Sequence, residues 1–364
     1  MKKIKVQLDK KLSNSYEICI GHDIVDRMGL IITKNQPASR YVMITDSNVA
    51  ALYGEVILQK LKGIGLQVDM IEFPAGEGSK NISTVLGVVE KMLKVGADRH
   101  STLLALGGGV VGDITGLVAS LYMRSLPYIQ IPTTLMAQVD SSIGGKTAVD
   151  LPEGKNLLGT FHQPRGVLID LKFLETLSDG EFNNGLMEVI KYGIIEDAGF
   201  FLFLEEQMKR IRERHKDTLA RVVETSCRIK KGIIEIDEKE QGLRRVLNFG
   251  HTMGHAIEAA SDYRISHGEA VALGMLASAR ISERLYDLPA DDRIRIEQLV
   301  KAAGLSSRIP QKLAPEEILS RIKMDKKKKG DTVHFVLLKK IGMPFINGGV
   351  PEDVLRDVME ELKG

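Results

Sequence analysis

The chain has 364 residues, a formal net charge of +2, 43% hydrophobic and 27% charged residues, and no tryptophan. That length suits about two domains, and the near balance of charge with few aromatic rings excludes a general nucleic-acid footprint. Cys19 and Cys227 stand in no metal or redox spacing, no run of 18 apolar residues occurs, and the basic start MKKIKVQLDKKL lacks the apolar core of a signal peptide. A cytoplasmic protein without a membrane span is therefore expected.

The N-terminal half reads as α/β. KIKVQL and YEICIG alternate apolar and polar residues, which predicts two antiparallel opening strands. RYVMITD is a short apolar run ending in Asp46, as a buried parallel strand does. A helical stretch from Asn48, a strand in GLQVDMIEFPAGEGSK with a Gly-rich turn, and a helix from Ile82 to Val95 follow. STLLALGGGVVGDITGLVAS then gives strand, glycine turn and helix. Such alternation predicts a parallel sheet with helices on its faces.

Gly107, Gly109 and Gly112 satisfy G-x-G-x-x-G between strand and helix. Glycines let a pyrophosphate approach the backbone, and the helix N-terminus offers free N–H groups. A tight turn is the plain alternative, because no acid stands about 20 residues further on. Asp46, on an earlier strand, is the acid best placed for a ribose. Glu77 and Lys80 can add a contact or simply belong to a solvated loop.

Tyr128 to Pro164 is dense in polar residues that packing does not require: Thr133, Thr134, Asp140, Lys146 beside Gly-Gly, and Lys155 beside Gly-Asn. The lysines suit a phosphate or carboxylate as point charges. From Leu177-Ser178-Asp179-Gly180 onward the periodicity turns helical, with Ser178 or Asp179 as the N-cap.

NFGHTMGHAIEAASDYRISHGE, residues 248–269, holds three of the eight histidines. His251 and His255, at i and i+4, share one helical face, and His267 opens a second apolar run. With a carboxylate from elsewhere they can form a divalent-metal site. The alternative is ordinary polar residues at helix ends. Glu188 in LMEVIKYG is the candidate carboxylate, with Lys191 on its face; a surface ion pair is the plain reading, but the apolar neighbours predict a buried helix. The basic run from Lys323 to Asp331 reads as a solvated loop or as an ammonium folded over an anion.

Taken together, GGGVVGD, IPTTLMAQVDSSIGGKTAVD, GKNLLGTFHQP, EVIKYG and NFGHTMGHAIE with SHGEAVALGM resemble the 3-dehydroquinate synthase family, within the sugar-phosphate cyclases, over about 46–326. The resemblance implies a Rossmann-like α/β NAD-binding domain over 1–178, an all-α metal- and substrate-binding domain over 179–364, and an active site in the cleft between them. It implies conversion of 3-deoxy-D-arabino-heptulosonate 7-phosphate (DAHP) to 3-dehydroquinate and phosphate, the second step of the shikimate pathway. The implied cofactors are NAD and one divalent metal, zinc or cobalt, on Glu188, His251 and His267. NAD contacts map to Asp46, Glu77, Lys80, Gly108, Gly109, Asp113, Thr133, Thr134, Lys146, Lys155, Phe173, Thr176 and Leu177. Substrate contacts map to Asp140, Lys146, Asn156, Lys191, Lys230, Arg244, Asn248 and His255. Arg124 is implied to reach the neighbouring subunit of a homodimer, and Lys326 to close the pocket. On this reading His255 serves substrate rather than metal. The rivals are a cyclase of the 2-deoxy-scyllo-inosose or valiolone type and a glycerol dehydrogenase-like polyol dehydrogenase.

Overall fold

Every described strand of the central sheet runs in the same direction. The computed structural model describes residues 15–240, 242–329 and 333–363, without side chains at 325–329. β1 (Glu17–Gly21) leads to α1 (Val25–Asn35), β2 (Arg40–Asp46) and the single turn α2 (Ser47–Val49), which runs through a π turn into α3 (Glu55–Gly63). β3 (Val68–Phe73), α4 (Ile82–Lys94), β4 (Ser101–Gly107), α5 (Gly109–Leu121) and β5 (Tyr128–Pro132) follow. A hairpin of β6 (Lys146–Leu151) and β7 (Gly154–Phe161) precedes β8 (Gly166–Asp170). The sheet order is β1-β8-β5-β4-β2-β3. β4, β5 and β8 are buried along their whole length, which is why they read as continuous apolar runs.

One sheet face packs on α4 and α5 through residues such as Val42, Ile44, Val88 and Val118. The other packs on α1 and α3 through Met28, Ile57, Met43 and Leu104. From β2 the chain steps outward to β3, then returns to β4 on the opposite side of β2. The strand order therefore reverses between β2 and β4, and the carboxyl ends of these two strands flank a crevice of the kind that takes ligands in open α/β sheets.

The second half is helical: α6 (Asp179–Ile195), α7 (Ala198–Arg212), α8 (Lys216–Ile236), α9 (His251–Ala260), α10 (His267–Tyr286), α11 (Ala290–Ala302) and α12 (Pro315–Lys329). Ser178 caps α6 by accepting from the Glu181 amide at 3.3 Å. The expectation of an all-α second half needs one addition. An antiparallel hairpin, β9 (His334–Lys340) and β10 (Met343–Gly348), lies between α12 and α13 (Glu352–Lys363). Phe335, Leu337 and Leu338 of β9 are buried in the core around α10, and that packing fixes this apolar run as a strand. Of the expected opening hairpin only the second strand is described. KIKVQL lies outside the described residues, and β1 pairs with β8 in parallel. Among the described residues, no helix is long and apolar enough to cross a membrane.

Candidate active site

The crevice at the sheet's carboxyl edge is made mostly of backbone. Asp46 ends β2, and its Oδ1 accepts from the amides of Asn48 and Val49 at 2.9 and 3.0 Å, so part of its capacity caps α2. Gly108 is the N-cap of α5, in extended conformation. A Cβ there would lie 3.0 Å from the Thr134 methyl, and one at Gly109 would lie 3.1 Å from Ser141 Oγ. The glycines thus leave room where the free N–H groups of α5 emerge. The Thr133 and Ser141 hydroxyls are buried without a hydrogen-bond partner among the described residues. Gly112 has a packing role: its Cβ would lie 2.8 Å from Gln130 Oε1.

The charged residues around the crevice neutralise one another. Lys80 is buried and pairs with Asp113 at 2.7 Å and with Asn156 Oδ1 at 2.6 Å. Burial disfavours its charge, but Asp113 outweighs burial and raises its pKa. Glu77 is exposed and 3.7 Å from Lys155 Nζ. Thr176 hydrogen-bonds Tyr53, whose ring meets buried Phe173 edge-on at 4.8 Å. Leu177 packs instead against the core of the helical half.

The helical half brings three helices to one point by backbone contact. A Cβ on Gly274 of α10 would lie 1.9 Å from the Gly250 carbonyl, just before α9, and one on Gly268 would lie 2.5 Å from Asn184 Cα on α6. At these positions only glycine allows the approach. The result places Glu188 of α6, His251 and His267 together, with one ligand atom from each lying within 4.8 Å of the others. Glu188 is 1% exposed. One of its oxygens is paired with Lys191; the other, Oε1, has no hydrogen-bond partner among the described residues and faces His251 Nε2 at 3.5 Å. His251 Nδ1 is 3.2 Å from the Phe249 carbonyl, which leaves Nε2 for a metal.

Burial, then Lys191 and the two other imidazoles, depress the His251 pKa well below its ordinary value, so the ring is neutral, as a ligand must be. A partnerless buried carboxylate oxygen beside a neutral imidazole and a third nitrogen is a donor set that fits a divalent cation. For His267, burial opposes charge, but Glu258 and Glu188 outweigh it and raise the pKa. The two carboxylates therefore favour positive charge at His267, while His251 stays neutral. His255 is exposed and forms a second ligand-type group with Glu258 and His267.

Beside this centre lies a cluster of cations. Lys230 donates to the carbonyl and Oδ1 of Asp140 at 2.6 and 2.7 Å, and Tyr192 donates to the same Oδ1 at 2.5 Å. Burial favours the neutral acid at Asp140, but Lys230 and Lys191 outweigh it and hold the carboxyl ionised. Arg244 is buried and donates to the Glu238 carbonyl, while its Nε has no partner among the described residues. Lys146 pairs with Glu240, which also accepts from Asn248 at 2.7 Å.

Most of the expected residues thus assemble on either side of one region, the exception being Arg124. It is exposed, in a run of three positive φ values at Met123, Arg124 and Ser125, beyond the end of α5. The expectation on Lys326 falls among side chains outside the described set. Two carboxylates were missed: Glu240, which holds Lys146 and Asn248, and Glu258, which holds Lys155 at 2.7 Å. Glu258 carried a signal, a lone acid three residues after His255 on an apolar helix. Glu240, in the charged run DEKEQG, carried none.

Comparison with known proteins follows the same lines. The profile of the 3-dehydroquinate synthase N-terminal family matches residues 70–184, and that of the 3-dehydroquinate synthase C-terminal family matches residues 185–328. The 3-dehydroquinate synthase of Desulforamulus reducens is 43% identical over 349 residues, covering 96% of this chain and 95% of its own. Among solved structures, a 2-epi-5-epi-valiolone synthase from Streptomyces hygroscopicus subsp. jinggangensis 5008, with NAD+ and Zn2+ bound, superposes with a TM-score of 0.90 at 29% identity, covering 99% of each chain. A 2-deoxy-scyllo-inosose synthase complexed with carbaglucose-6-phosphate, NAD+ and Co2+ gives 0.84 at 28% identity, covering 94% of this chain and 96% of its own.

Proposed function

The chain belongs to the 3-dehydroquinate synthase family, and from that premise we propose that it converts DAHP to 3-dehydroquinate and phosphate with NAD and one divalent metal. The observation that carries this reading is the partnerless Glu188 Oε1 facing His251, next to His267 and a bank of buried cations. The first half, 1–178, is taken as the NAD domain and 179–364 as the metal and substrate domain, with the reaction in the cleft between.

Glu188, His251 and His267 would hold the metal, zinc or cobalt. NAD would lie across the β2/β4 crevice, its ribose toward Asp46 and its phosphates toward Gly108, Gly109 and Thr133. When bound, the metal supplies Lewis acidity at a secondary alcohol and NAD takes and returns a hydride, so neither is consumed. The remaining work belongs to the chain. Lys146, Lys191, Lys230 and Arg244 supply positive charge for a phosphate and a carboxylate. Asn156, Asn248 and His255 supply hydrogen bonds that orient the ring. Asp140 opposes the burial that lowers the Lys230 pKa and fixes the amine in place before substrate arrives.

The assay supplies DAHP with catalytic NAD+ and follows phosphate. Phosphate release without net NADH is expected. Stoichiometric NADH without phosphate would make the protein a dehydrogenase. Inactivity on DAHP with turnover of glucose 6-phosphate would make it an inosose synthase. Both outcomes overturn the proposal.

A cytoplasmic homodimer completes the reading. Leu121 and Met123 beside Arg124, and Leu157, Leu158 and Phe161 on the β6–β7 hairpin packed against α5, are large apolar side chains left exposed on one chain. Light scattering should give twice the chain mass; a monomer would end the assignment of Arg124 to a neighbouring site.

A further inference from the structure

Glu258 lies on α9, two turns beyond His251, and is 4% exposed. Its two oxygens serve different partners. Oε1 accepts from Lys155 Nζ at 2.7 Å, and Oε2 faces His267 Nδ1 at 3.4 Å. Lys155 comes from β7 on the sheet side, where it also lies 3.7 Å from Glu77 and 4.9 Å from the centre of the Tyr263 ring. One buried carboxylate therefore joins the crevice side to the histidine centre.

The structure assigns Glu258 as a positioning residue: it holds the His267 ring through Nδ1, leaving Nε2 to the metal, and it transmits the engagement of Lys155 to that ring, so that cofactor and metal bind cooperatively. This inference rests on the NAD and metal assignments above. A carboxylate that accepts from the far nitrogen of a ligating imidazole fixes its tautomer and raises its basicity. Lys155 draws on the same carboxylate and weakens that effect. When an anionic cofactor group draws Lys155 away, the full negative charge falls on the Nδ1–H, and Nε2 becomes a stronger donor. The sign is positive: NAD+ tightens metal binding and, by linkage, metal tightens NAD+ by the same factor.

The test measures Zn2+ affinity of the full chain by competition with a chromophoric chelator, with and without saturating NAD+ and without substrate. Glu258→Gln should bind Zn2+ roughly 10–100-fold more weakly than the parent, and the tightening by NAD+ seen in the parent should vanish. Lys155→Met, a second variant that leaves Glu258 in place, should bind Zn2+ without NAD+ no more weakly than the parent does. Three results overturn the proposal: unchanged affinity in Glu258→Gln, a loss as complete as that in His267→Ala, which would make Glu258 a ligand, or an equal NAD+ effect in Glu258→Gln and the parent. If His267→Ala itself binds Zn2+ like the parent, the metal assignment fails first and takes this inference with it.

Discussion

The two sides of the site are built by opposite means. The crevice between β2 and β4 is shaped by backbone, glycine and a helix N-terminus, and its charges are already paired, Lys80 with Asp113 and Lys155 with Glu258. On the helical side glycines let the helices meet, but the site itself is lined by side chains and is left unbalanced: Glu188 Oε1 and Arg244 Nε are buried without hydrogen-bond partners among the described residues, and Lys191, Lys230 and Arg244 crowd one another. A ligand on the sheet side gains from shape and dipole, and each contact there is modest. On the helical side a ligand relieves groups that already bear the cost of desolvation, so single contacts count for more.

That contrast predicts a graded set of outcomes. The largest belongs to the metal centre. Glu188→Gln should lose bound metal and reduce turnover about 1,000-fold or more, since Lewis-acid stabilisation is worth several kcal/mol; metal content and phosphate release measure both, and a variant that keeps its metal would break the comparison at its strongest point. Asp140→Asn comes next. It leaves the buried Lys230 without its counter-charge and should cost about 3–5 kcal/mol of stability in urea unfolding. The sign with pH follows from the depressed Asp140 pKa. Ionised Asp140 contributes stability above the ordinary carboxylate range, near pH 4, and that contribution fades as pH falls through the lower folded-state value. The gap between parent and variant should therefore narrow in acid; a gap that widens would show that Asp140 is not held as the anion.

Smaller effects follow. Lys146→Met removes one charged contact from an exposed lysine and should raise KM for DAHP roughly 10–100-fold, with bound metal unchanged. Smallest of all, Asp46→Ala should weaken NAD+ only several-fold, about 1 kcal/mol, by isothermal titration. An Asp46 effect larger than that of Lys146 would invert the picture of a forgiving sheet side and an exacting helical side.

The same contrast explains what the sequence made legible. Strand, glycine turn and helix at Ser101–Leu121 are a local pattern, and the structure reproduces it. His251, His267 and a carboxylate on a buried helix were readable because a charged residue among Met187, Val189 and Ile190 demands a partner. Other features were hidden because they depend on pairing across distance. β6 and β7 carry polar residues on an open hairpin, with no alternation strong enough to mark them. β9 and β10 did have a signal, the apolar run FVLL before a turn at Gly342, which has φ +85°, but the helical pattern on both sides masked it. The internal neutralisation by Glu240 could not be read, because acids in charged segments are ordinarily solvated; Glu258, a lone acid on an apolar helix, carried a signal that was passed over.

The place of β1 in the sheet has a consequence for synthesis. Glu17 pairs with Gly166, so the first described strand can join only when β8 exists. At about 5–20 residues per second, the ribosome takes roughly 7–30 seconds to make the intervening chain. During that interval β2 to β5 can assemble in their own order while the sequence around Cys19 waits outside. The first described strand is thus among the last of the sheet to be placed, and it docks beside β8 just before the helices of the second half are made.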